Sequence, residues 1–182
     1  MNSNIIFINI ITNPFFFKCN FGGHIKHLEK NQYVFKKIAR DKGIEYKLIK
    51  PKNNLLNFLS IFFLIRIYLI ALFLLFSRKK AIIYLRWSLY SVPFLFIFYI
   101  IKILRSNFKL VLEINSINSI VLNKKLNKFF NLIFKIPSYN LLITQKLYKK
   151  YKFYFPSANI KYLPNYSIPI SGDKNINKEK KL

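Results

Sequence analysis

With 182 residues, 53% of them hydrophobic and 18% aromatic, the chain has enough apolar surface for one domain of ordinary size, which excludes disorder along its whole length. Its 31 Lys and Arg against 6 Asp and Glu give a formal net charge of +25, a field that draws anionic lipid, phosphorylated substrates or nucleic acid. The single cysteine, Cys19, excludes an internal disulfide and a cysteine-built metal site.

The first element is a strand from Ile5 to Thr12, rich in β-branched residues. Asn13 to Gly23 reads as a loop holding Pro14 and the pair Gly22-Gly23. No Lys or Arg precedes the apolar run, Pro14 interrupts it, and no small-residue cleavage site follows, so no signal peptide is expected. His24 to Lys42 carries Ile25, Leu28, Val34, Phe35 and Ile38 at near-helical spacing and is ended by Gly43. Glu45 to Lys50 is the second strand, stopped by Pro51, and Asn54 to Phe76 is a long apolar helix. Ala81 to Leu85 is the third strand, Ser88 to Arg105 a helix, Phe108 to Ile114 the fourth strand and Leu122 to Lys135 a further helix. Asn140 to Thr144 is the fifth strand, Gln145 to Tyr151 a short helix, and Ile160 to Leu163 the sixth strand.

Strand followed by helix, repeated, is the pattern of a parallel sheet with helices on both faces. Strands buried on both faces read as continuous apolar runs rather than alternating ones, as Ile5–Ile8, Ile82–Leu85 and Leu110–Leu112 do. The expected fold is therefore α/β: a doubly wound, Rossmann-like parallel sheet forming a single domain over residues 1–168, with a disordered basic tail over 169–182.

Leu55 to Phe76 raises a competing possibility. As a helix it would extend about 33 Å, enough for a bilayer core. Arg66 at its middle would cost roughly 2.5–3.5 kcal/mol on insertion scales, and Arg78, Lys79 and Lys80 would make a cytoplasmic flank. Leu89 to Leu104 is short for a span and contains Pro93 and Lys102. Because both segments fall where the alternation requires helices, the expectation is that one face packs on the sheet and the other rests on a membrane surface.

Four places carry chemistry. Gly22 and Gly23 precede a helix opening at His24, where close backbone approach and free N–H groups suit a phosphate, although the glycines would equally serve a chain reversal. His24 and His27 lack a third ligand, so no metal is expected. Arg86 directly follows a buried parallel strand, at the carboxyl edge where open α/β sheets bind ligands, and its planar fork suits phosphate or carboxylate. A structural ion pair with Glu113 is the other reading. Glu113 and Asn115 end the fourth strand on the same edge, as ligand-facing groups or, for Asn115 and Ser116, as a helix cap.

The order of Gly22-Gly23-His24, Ile83-Tyr84-Leu85-Arg86, Leu112-Glu113-Ile114-Asn115, Leu142-Ile143-Thr144 and Leu163-Pro164-Asn165 resembles the N-terminal domain of retaining glycosyltransferases of the GT-B architecture. The resemblance implies one half of a two-domain enzyme that transfers a sugar from a nucleotide-sugar to a cell-surface glycan or lipid-linked acceptor. It implies that Gly22, Gly23 and His24 form a loop near the donor phosphates and that Arg86, Glu113 and Asn115 line the acceptor side. The nucleotide-sugar would be a substrate, with no cofactor, and the donor-binding domain would be a separate partner. Tyr166 stands where the family usually has Gly, and no two glutamates are separated by seven residues, so this chain alone is expected to be inactive. The expected location is cytoplasmic, peripheral at the inner face of an anionic membrane. The competing readings are a small basic integral membrane protein with one or two spans and no catalytic role, and a nucleic-acid binder. Nucleic acid is not expected, because the Lys residues are scattered and no recognised binding motif is present.

Overall fold

The strands in the middle of the sheet are the apolar runs of the sequence. A computed structural model of the chain describes residues 4–11, 22–49, 57–88, 91–116 and 126–162. Within them β1 (Ile5–Ile10), β2 (Glu45–Ile49), β3 (Lys80–Arg86), β4 (Phe108–Ile114), β5 (Tyr139–Leu142) and β6 (Ile160–Tyr162) form one six-stranded sheet in the order β2-β1-β3-β4-β5-β6. Every pairing is parallel. The intervening helices are α1 (Gly22–Asp41), α2 (Asn57–Phe76), α3 (Val92–Leu104), α4 (Asn127–Lys135) and α5 (Gln145–Tyr154). This is a single Rossmann-like α/β domain.

The strand order decides where each helix lies. Crossovers between parallel strands are right-handed, and the step from β1 to β2 runs one way along the sheet while all later steps run the other way. α1 therefore covers one face, and α2 to α5 cover the other. Ring contacts agree: Phe35 of α1 meets Phe7 and Tyr84 at 5.3 and 4.9 Å, whereas Phe98 of α3 stacks on Phe108 at 6.0 Å.

The two faces differ in chemistry. Ile6, Ile8, Ile10, Ile83, Leu85, Leu110, Leu112, Ile114 and Leu142 alternate onto the α2–α5 face and are fully buried. Trp87, Phe130, Phe134, Tyr151 and Phe155 extend that core under α4 and α5. Asn140 is a fully buried polar residue in this core; its Nδ2 donates to the Phe134 carbonyl at 2.8 Å and to the Asn159 carbonyl at 3.1 Å, while Tyr151 donates its hydroxyl to Oδ1 at 3.4 Å. Such complete pairing makes burial of an amide tolerable. The α1 face carries Asn9, Tyr46, Tyr84, Arg86 and Glu113 instead, as the register of β1, β2, β3 and β4 requires.

Element ends depart from the sequence expectation in ways the local bonding explains. α1 begins at Gly22 rather than His24, so both glycines sit in its first turn. It ends as expected at Gly43: with φ at 62° there, the Ile44 N–H reaches the Ala39 carbonyl at 2.7 Å and the Gly43 N–H the Arg40 carbonyl at 3.2 Å. This double closure is a Schellman motif. β5 stops at Leu142 because Thr144 caps α5, its Oγ1 accepting from the Leu147 N–H at 3.2 Å. α3 starts at Val92 rather than Ser88, and ahead of it the Ser91 hydroxyl donates to the Ser88 carbonyl at 2.6 Å. The expected helix starts at Asn54 and Leu122, the Leu163-Pro164-Asn165 turn and the tail lie outside the described residues.

Basic side chains close the amino edge. Arg105 donates to the Leu74 carbonyl in the last turn of α2 and, at 2.9 Å, to the Lys79 carbonyl, meeting the partial negative charge of the helix end. Lys79 and Lys47 lie 2.7 and 3.0 Å from the Glu45 carboxylate and hold its pKa below the ordinary carboxylate value, Lys79 foremost.

Candidate functional site

In a sheet with this order the chain leaves β1 in one direction and β3 in the other, so the switch point of the sheet, where open α/β domains bind ligands, lies at the carboxyl ends of those two strands. The polar residues of the α1 face converge on that rim. Register pairs Asn9 with Tyr84 and Arg86 with Glu113 on neighbouring strands.

Glu113 is the centre of the cluster, 3% exposed near the carboxyl end of β4. Tyr84 donates its hydroxyl to Oε2. Arg86 Nε lies 4.0 Å from Oε1, an ion-pair separation, and both side chains are largely withdrawn from water, at 13% and 4% exposure. The Trp87 N–H donates to the Glu113 carbonyl at 2.7 Å, fixing β3 against β4 at this point. Burial, with the neighbouring Glu113 charge adding to it, pushes the Tyr84 phenol well above the ordinary value of 10.0. Tyr84 therefore stays protonated and keeps its role as donor. Phe7 and Phe35 pack on its ring from β1 and α1. Asn9, also buried, donates its amide to the Tyr46 hydroxyl at 3.4 Å.

Of the residues singled out from the sequence, Arg86 and Glu113 are brought together. Asn115 stands two residues beyond Glu113, with both amide atoms buried and neither hydrogen-bonded, and so makes no hydrogen bond to either. Gly22, Gly23 and His24 open α1, whose far end at Gly43 feeds the amino end of β2. The first turn of α1 therefore points to the same carboxyl rim, with its backbone N–H groups. Tyr84 and Asn9 were not foreseen. A signal did exist: each is a polar group inside a run that is otherwise aliphatic, and a buried polar group needs a reason.

No group of three His, Cys, Asp or Glu capable of holding a metal gathers among the described residues. A shallow groove lined by Leu69, Leu72, Phe73, Phe76 and Ser77 lies at the end of α2, on the opposite edge of the sheet, and has no polar cluster of its own. Among the described residues no helix is long and apolar enough to cross a membrane. The chain matches no protein-family model, no curated protein and no solved structure.

Proposed function

We propose that this domain is the acceptor-binding half of a GT-B-type glycosyltransferase, holding a cell-surface glycan or lipid-linked acceptor while a separate domain holds the nucleotide-sugar. The observation that carries the reading is the Tyr84–Glu113–Arg86 cluster on the carboxyl rim, beside the point where β1 and β3 diverge. Glu113, with its proton supply from Tyr84 fixed, is suited to accept hydrogen bonds from sugar hydroxyls. The Asn115 amide, buried and unbonded, offers both a donor and an acceptor to such a hydroxyl. Arg86 supplies a cationic fork for a phosphate on a lipid-linked acceptor. Gly22, Gly23 and His24, opening α1, approach the donor phosphates through backbone N–H groups.

Sugar transfer also requires a leaving diphosphate stabilised by preorganised cations or dipoles, and both substrates in one cleft. One domain provides one wall of that cleft, and the donor-binding domain provides the other. It works in the cytoplasm, at the inner face of the membrane. Mixing it with the product of the neighbouring gene and assaying sugar transfer from a nucleotide-sugar tests the reading. Transfer by the mixture that exceeds either protein alone is the expected result; no gain rejects it.

A further inference from the structure

Surface helices of a globular domain turn apolar residues inward and polar residues to water. α2, α3 and α4 do not. Each buries one stripe on the sheet, such as Ile67 and Leu74 on α2 and Phe98 and Ile101 on α3, and presents a second apolar stripe outward. On α2, Leu69, Leu72 and Phe76 recur at helical spacing, with Phe76 82% exposed; Ile103 on α3 is 65% exposed and Leu132 on α4 64%. The three helices lie on the same face of the sheet and α2 packs directly against α3, and exposed apolar surface of this kind marks an interaction site.

Charge selects the occupant. α2, α3 and α4 contain no Asp or Glu, and their only charged residues are Arg66, Lys102, Lys128 and Lys135. Exposed Arg78 and Lys80 follow the end of α2, and α5, next along the same face, adds Lys146, Lys149, Lys150 and Lys152. A second copy of the chain would carry the same net charge of +25 and be repelled. An anionic lipid surface is attracted by every one of these groups. We propose that the outer faces of α2, α3 and α4 form a docking surface that lies flat on an anionic bilayer, with apolar side chains entering the acyl boundary and the basic residues meeting lipid headgroups. Because these helices are pinned to the sheet by their buried stripes, they rest in the interface rather than span it. Tyr84 and Glu113 are on the opposite face, so docking does not cover them. The inference deepens the peripheral placement proposed above, yet stands whether or not the rim binds an acceptor.

The test is co-sedimentation of the full chain with vesicles of phosphatidylcholine alone and of phosphatidylcholine mixed with phosphatidylglycerol. Phe76→Asp and Ile103→Asp each put one negative charge on the docking face, and Tyr33→Asp puts the same charge on the exposed side of α1, across the sheet. All three sites are exposed, and circular dichroism checks that each variant folds. Expected are preferential binding to the phosphatidylglycerol vesicles, weakening with salt, a roughly tenfold loss in Phe76→Asp and in Ile103→Asp, and no comparable loss in Tyr33→Asp. Equal binding to both vesicle types, or losses no larger in the docking-face variants than in Tyr33→Asp, would overturn the proposal. So would a lipid-free dimer abolished by Phe76→Asp and Ile103→Asp, which would assign the face to a second copy. No sugar acceptor enters this experiment, so its failure and a failure of the transferase reading are separate results.

Discussion

Tyr84 and Glu113 form the pair on which the rim depends. A hydrogen bond to a buried charged group contributes about 1.5–3 kcal/mol, and removing the Tyr84 donor takes that bond from Glu113 Oε2 while the Arg86 ion pair at Oε1 remains. Tyr84→Phe keeps the ring against Phe7 and Phe35 but deletes that donor, so a loss of about 2 kcal/mol in unfolding free energy is expected by denaturant titration. The same experiment has a pH signature. Burial raises the phenols of Tyr84 and Tyr151 well above 10.0 in the folded state. A group whose folded pKa lies above its unfolded value contributes stability that is intact below the unfolded value and is lost as pH climbs toward the folded one. Wild-type stability should therefore fall as pH rises past about 10, and fall less steeply in Tyr84→Phe, where only Tyr151 of the two remains. A parallel alkaline decline in both proteins would show that Tyr84 does not carry the effect.

At the scale of elements, the turn from α1 into β2 sets the register of the sheet's outer strand. Gly43 has φ at 62° with no atom close to where a Cβ would stand. Replacement by Ala meets no steric wall, so its cost is the left-handed backbone alone, about 1–2 kcal/mol. Gly43→Ala should lose that much stability in thermal or chemical unfolding, and Gly43→Asn less, because Asn tolerates this region better. Equal stability of all three would mean that the Schellman closure is dispensable. This turn was legible in advance because a glycine after an amphipathic run has few other uses. So was the parallel sheet: β1, β3 and β4 are buried on both faces, and nearly unbroken aliphatic runs are the result. Helix starts were read less well. Ser88 and Ser91 bond to each other before α3, a use of serine that periodicity does not reveal. Thr144 likewise belongs to the cap of α5 rather than to β5, since a β-branched residue after Leu142 and Ile143 fits a strand and a cap equally by composition.

For the whole molecule, strand order is what converts scattered residues into a site. Nothing local in Ile5–Ile10 tells that β1 lies inside the sheet between β2 and β3, and without that fact Asn9 and Tyr84 are only irregularities in apolar runs. Arg86, Glu113 and Asn115 were visible from sequence because they end strands, where the carboxyl rim must be. That Arg86 and Glu113 pair was one of two readings open from sequence, and the β3–β4 register is what places them side by side. The same order sorts the molecule into an α1 face that carries the polar cluster and an α2–α4 face whose outer surface is apolar and basic. Glycan recognition at the rim is the central claim, and net charge is its main confounder, since a chain at +25 attracts any anionic saccharide. The most direct measurement is binding of the full chain to an array of neutral and anionic cell-surface glycans, compared with Glu113→Gln. That substitution removes a negative charge and so strengthens purely electrostatic attraction. The account predicts that the wild type selects particular glycans and that Glu113→Gln loses them; binding that tracks glycan charge and is unchanged or stronger in Glu113→Gln would contradict it.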